Sequence, residues 1–121
     1  MSSTPVKWFE IGSDRPDEAQ RFYADLFGWS FEEPTDPARS YRQTAAGGER
    51  GIAGAVRGTD TGNYAIFYAE VADVAETCRR AEATGGSVVT APVTTPIGLV
   101  RALLRDPSGN LLGVFTPPAE G

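Results

Sequence analysis

A carboxylate, an indole and two phenols are the residues of this chain best placed to do chemistry. Trp8 and Glu10 lie in the run Val6 to Ile11, and Tyr64 and Tyr68 in the run Asn63 to Val71. Both runs are apolar and aromatic with polar residues interspersed, which reads as strand. Residues two apart on a strand share a face. Trp8 therefore stands with Glu10, and Tyr64 with Tyr68. A carboxyl group among aromatic rings can move a proton beside a carbonyl, or hold a ligand amine under stacked rings. It can equally be a structural carboxylate satisfied by a backbone N–H or an arginine. The rings can equally pack on a partner module or subunit.

The chain excludes several other chemistries. It has no histidine, so no Ser/His or Cys/His nucleophile system can be assembled. Its one cysteine, Cys78, falls on the apolar stripe of a helix, where a buried thiol is expected. One cysteine forms no intrachain disulfide. Eleven basic residues against sixteen acidic ones give a net charge of −5. That balance, with no Lys/Arg cluster, argues against nucleic acid as a partner. Gly47, Gly48, Gly51 and Gly54 fit neither a dinucleotide nor a Walker pattern, and read as hairpin punctuation. The N-terminal residues do not resemble a signal peptide, and no apolar run approaches the roughly 20 residues that span a bilayer. A cytoplasmic protein without membrane contact is expected.

The elements that must position these residues follow in order. After the first strand, Ser13 or Asp14 and then Pro16 open a helix. Its apolar face is Ala19, Phe22, Leu26 and Phe27, and Gly28 ends it. Trp29 to Glu33, Ser40 to Ala45 and Gly51 to Val56 read as strands, and 58–62 as a polar linker. The order then repeats. Asn63 to Val71 is a strand, and Asp73 with Glu76 caps a helix carrying Val74, Ala75, Cys78 and Ala81. Ser87 to Thr90, Leu99 to Arg105 and Leu111 to Phe115 are strands. Asp106-Pro107-Ser108-Gly109-Asn110 is the tight turn between the last two, and 91–98 a Pro/Thr-rich loop.

The halves also overlay residue by residue. Val6 falls on Ile66, Trp8 on Tyr68 and Glu10 on Glu70. The run Ile52 to Val56 falls on Leu111 to Phe115. This repetition predicts an α+β fold of two βαβββ modules, residues 1–58 and 63–116, within one domain over 5–116. The modules are expected to form a curved eight-stranded mixed sheet with a cup-shaped cleft.

Three stretches carry a family resemblance. Phe22-Tyr23 with Leu26-Phe27-Gly28-Trp29, the Asp106 to Asn110 turn with Leu111 to Val114 behind it, and the opening Trp8-Phe9-Glu10-Ile11 resemble the glyoxalase / bleomycin-resistance / extradiol-dioxygenase superfamily. The resemblance runs from about Val6 to Phe115. It is specific for fold rather than activity, because such superfamilies host many activities. In metal-dependent members each half supplies one ligand from its first strand and one from its last. By motif these positions are Val6 and Ile66, and Gly54 and Gly113. None has a donor side chain, so the resemblance implies a member without the metal site and with no cofactor.

The expected cleft is therefore aromatic and apolar. Its lining is Val6, Trp8, Glu10, Gly54, Tyr64, Ile66, Tyr68, Leu111, Gly113 and Phe115, with the glycines leaving open volume. Such a cleft suits a small aromatic or cationic molecule, held for sequestration or resistance. A metal-free lyase or isomerase using Glu10 as acid/base is the alternative, and a non-catalytic assembly role a third. A homodimer is expected as the working assembly.

Overall fold

The computed structural model describes residues 3–34 and 40–119. Among these residues are seven strands, paired both parallel and antiparallel, and two α-helices. The chain divides into two compact units, Lys7–Ile66 and Phe67–Gly121, the latter joined by Met1–Val6.

The Lys7–Ile66 unit holds β1 (Val6–Ser13), α1 (Pro16–Phe27), β2 (Tyr41–Thr44), β3 (Ala53–Gly58) and the first residues of β4 (Tyr64–Glu70). Its strands run in the order β2-β3-β1. β1 and β3 are parallel, with Phe9 opposite Gly54 and Ile11 opposite Val56. β2 and β3 are antiparallel, with Arg42 opposite Val56. Directly opposed residues share a face, so Phe9, Ile11, Gly54, Val56 and Arg42 stand together. This is the face α1 covers: Gln20 of the helix accepts from Arg42 Nη1, and Asp17 is 3.6 Å from the same nitrogen.

Helix α1 starts at Pro16, with Ser13 Oγ accepting from Arg15 N at 3.0 Å. It ends at Gly28 (φ 73°), which donates to the Ala24 carbonyl at 2.9 Å, a left-handed cap suited to glycine. The apolar face expected to pack inward instead points out: Phe22, Leu26 and Phe27 are 56–58% exposed. Two interactions turn the helix this way. Gln20 is engaged by Arg42, and the Tyr23 ring stacks on Trp29 at 5.6 Å.

Trp29 to Glu33, expected as a strand, is extended loop. Trp29 is drawn into a ring cluster with Phe9, Tyr23 and Phe27, and Pro34 has no N–H for a ladder. Among the described residues, the backbone bond from Glu32 N to Gln43 O joins it to β2. Among the described residues the strands therefore number seven rather than eight.

In the other unit the strand order is β4-β7-β6-β5, with β7 at Leu111–Thr116, β6 at Val100–Arg105 and β5 at Ser87–Thr94. β4 and β7 are parallel, with Tyr68 opposite Gly113; the other pairs are antiparallel. β5 runs on to Thr94, through the segment expected as loop, with register shifts around Thr90. It accommodates Pro92 because it is an edge strand. Helix α2 (Val74–Ala83) is capped by Asp73, whose Oδ1 accepts from Glu76 N at 3.0 Å. Val74 and Cys78 pack with Ala102, Leu104 and Val114 to form this unit's core. Tyr68, Gly113 and Phe115 stand on the opposite sheet face.

Candidate functional site

In the Lys7–Ile66 unit, β1 alternates. Phe9 and Ile11 face α1, while Trp8, Glu10 and Gly12 face away from it. Glu10 is 4% exposed and lies opposite Ala55, which is wholly buried. The Tyr64 hydroxyl donates to Glu10 Oε2 at 2.6 Å. Tyr64 is set in place from two sides. The side chain of its neighbour Asn63 accepts from Asp14 N at 2.8 Å, tying the start of β4 to the end of β1. Its ring lies over Gly12, where a Cβ would come within 2.3 Å of Cε2. Glycine at 12 is thus what lets the phenol reach the carboxylate. In the sequence, the signal for this contact is the position of Gly12 two residues after Glu10, in phase with it along the strand.

A buried carboxylate needs a strong donor, and a short phenol bond supplies one. The ion pairs seen among the described residues, Arg15–Glu18, Arg42–Asp17 and Arg79–Glu76, do not include Glu10. The pair can hold a ligand amine or hydroxyl, or exchange a proton with a ligand. Trp8 is half-buried on the same face, and Ile66 is buried in β4.

In the second unit, Tyr68 is 4% exposed and packs edge-on against Phe115, ring centroids 6.4 Å apart. Arg101 Nη1 donates to its hydroxyl at 3.4 Å. Gly113 and Leu111 share this face. Arg101, given no role from the sequence, brings a guanidinium to it. Val6 is 43% exposed.

Two expectations about the glycines are corrected. Neither leaves open volume. A Cβ on Gly54 would meet the Phe9 ring at 2.3 Å, and one on Gly113 the Tyr68 ring at 2.2 Å. They also differ in facing: Gly54 looks toward α1, away from Glu10, whereas Gly113 looks away from α2. A one-residue change of register reverses every side chain. Phe9 opposes Gly54 but Tyr68 opposes Gly113, so the overlay of Trp8 on Tyr68 is one residue out of step with the pairing.

A metal ion does not fit the four positions that the resemblance gives to ligands. Val6, Ile66, Gly54 and Gly113 have no donor atoms, and aromatic rings stand where side chains on the glycines would go. Among the described residues there is no group of three or more His, Cys, Asp or Glu side chains that could hold a metal. No helix among them is long and apolar enough to cross a membrane.

Comparison with known proteins places this arrangement. The chain is 37% identical over 111 residues to the anthracycline biosynthesis protein DnrV of Streptomyces peucetius, covering 86% of this chain and 38% of that protein. It is 29% identical over 115 residues to CFP32 of Mycobacterium tuberculosis, covering 93% of this chain and 44% of that protein. The chain thus spans less than half the length of these curated relatives. Among solved structures, methylmalonyl-CoA epimerase from Mycobacterium tuberculosis superposes with a TM-score of 0.65 at 17% identity, covering 99% of this chain and 93% of that one. A glyoxalase/bleomycin resistance protein/dioxygenase superfamily member from Vibrio splendidus gives 0.69 at 15% identity, covering 95% and 100%. These show a shared fold. Residues 6–114 match the family model itself, and the chain belongs to the Glyoxalase/Bleomycin resistance protein/Dioxygenase superfamily.

Proposed function

We propose that this protein binds a small planar aromatic molecule bearing a cationic or hydroxyl group, without a metal, through the Glu10–Tyr64 pair. The observation that carries the reading is the bond from Tyr64 to a carboxylate only 4% exposed. A carboxylate held in apolar surroundings attracts a ligand cation more strongly than one in water. Trp8 beside it offers a ring for stacking. A relative named for anthracycline biosynthesis supports a flat aromatic ligand. The proposed setting is a cytoplasmic homodimer.

The test is calorimetric titration with a commercial anthracycline such as doxorubicin, which has both a flat ring system and an amine. Binding that weakens roughly tenfold in Glu10→Gln is expected, as for loss of one charged contact. Unchanged affinity in that variant would sink the reading.

A second reading uses the same pair for proton transfer beside a carbonyl. Its support is the 2.6 Å contact, which sets an acid and a phenol side by side within the reach that general acid–base catalysis requires. Turnover of a bound carbonyl compound, abolished by Glu10→Gln with little change in affinity, distinguishes it from binding alone.

A further inference from the structure

On the α1 side of the Lys7–Ile66 unit lies an open recess of ≈ 640 Å³, lined among others by Gln20, Arg21, Trp29, Phe31, Arg42 and Asp17. Gln20 is 7% exposed. Because Arg42 Nη1 can only donate, the Gln20 atom it meets must be the oxygen, so the amide nitrogen points elsewhere. Among the described residues that nitrogen, Gln20 Nε2, has no hydrogen-bond acceptor, and neither has Arg42 Nε. Two buried N–H donors without acceptors are costly unless a bound group satisfies them.

We propose that this recess is a second ligand site, and that it takes an aromatic carboxylate. A carboxylate is the acceptor that an amide N–H and a guanidinium lining one recess recognise best. Arg42 and Arg21 outweigh Asp17, whose side chain is 70% exposed, so the local charge favours an anion. Trp29 and Phe31, both half-buried, offer rings to a flat body. This ligand is opposite in charge to the one proposed for Glu10. The two sites lie on opposite sheet faces of the unit, since Arg42 is in register with Ile11 through Val56 while Glu10 points the other way.

The experiment uses 2-naphthoate as probe and 2-naphthylmethanol as its uncharged control, titrated into the full chain by calorimetry. Naphthoate should bind about tenfold or more tighter than the alcohol, and each of Gln20→Glu and Arg42→Met should weaken it about tenfold or more. Gln20→Glu keeps an acceptor for Arg42 and so retains the fold, as its melting temperature will report. Arg42→Lys, which keeps the charge but loses the fork, should give an intermediate loss. No naphthoate binding at about millimolar concentration, equal binding of the alcohol, or affinity unmoved by Gln20→Glu would each overturn the proposal. So would a loss in Glu10→Gln with the Gln20 and Arg42 variants unaffected, because the probe would then occupy the other face.

Discussion

The ring of Tyr64 lies across Gly12 so closely that a single added methyl group would collide with it, and the same ring ends in the hydroxyl that reaches Glu10. Gly12→Ala should therefore act at a distance from its own backbone. Displacing the phenol strands a buried carboxylate, and overpacking adds strain. A loss of about 1–3 kcal/mol is expected, read by denaturant unfolding, together with weakened doxorubicin binding. Full stability would show that the ring can move aside without cost.

Tyr64→Phe removes the hydroxyl and keeps the ring. Loss of one donor to a buried charged acceptor should cost about 1–3 kcal/mol. Glu10→Gln in the same background should recover part of it, since an amide is cheaper to leave buried than a carboxylate. A double-mutant cycle measures the coupling. Additive losses would mean that the two side chains are not energetically linked.

At Gly113 a methyl group would collide with Tyr68. Gly113→Ala is expected to lower stability by about 1–3 kcal/mol. Gly113→Glu, which restores a carboxylate at a family ligand position, should be destabilising and should gain no Zn²⁺ or Ni²⁺ stabilisation in a thermal-shift titration. A metal-dependent rise in melting temperature would contradict the fit described above.

The turn at Asp106 gives a pH dependence. Hydrogen bonds from Asn110, first from its side chain and then from its backbone, with further ones from Ser108 and Gly109, hold the Asp106 carboxyl below the usual carboxylate range. A depressed folded-state value means stability that is present above the unfolded value and lost as pH falls through the folded one. Asp106→Ala should therefore lower the melting temperature at neutral pH. The difference from the parent should shrink as pH drops below about 4. The turn lies at the protein surface, with Ser108, Gly109 and Asn110 exposed, so the effect should be small. A constant difference from pH 7 to about pH 3 would count against it.

Burial, with a smaller push from Glu82, raises the Cys78 thiol above its ordinary value. The folded protein should react slowly with Ellman's reagent at neutral pH, and quickly once denatured. Fast labelling of the native protein would place the thiol outside the α2 core.

What was legible in the sequence was mostly local. The left-handed end of α1 at Gly28, the Asp73 cap and the Asp106 turn each depend on residues within a few positions, and the structure holds all three. The family motifs were legible for the same reason. Register was not, because it depends on which residue of one strand meets which of another. The repeat suggested Trp8 and Tyr68 as equivalents, yet the pairing sets Phe9 against Gly54 and Tyr68 against Gly113. The inward face of α1 was also hidden. Its apolar residues Phe22 and Leu26 gave a clear stripe, but the Gln20–Arg42 contact and the Tyr23–Trp29 stack decided the rotation. Trp29 and Phe31 read as strand by composition and went to a ring cluster and a recess instead.

The outer strands bear on how copies of this chain meet. β2 is only four residues long, and β5 carries Pro92 and interrupted pairing. A long, regular row of free N–H and C=O groups would invite strand addition and aggregation. Neither strand offers one. A proline removes a donor where an incoming chain would need it, and the shifts bend what remains out of line. The fold thereby discourages edge-to-edge growth into fibrils.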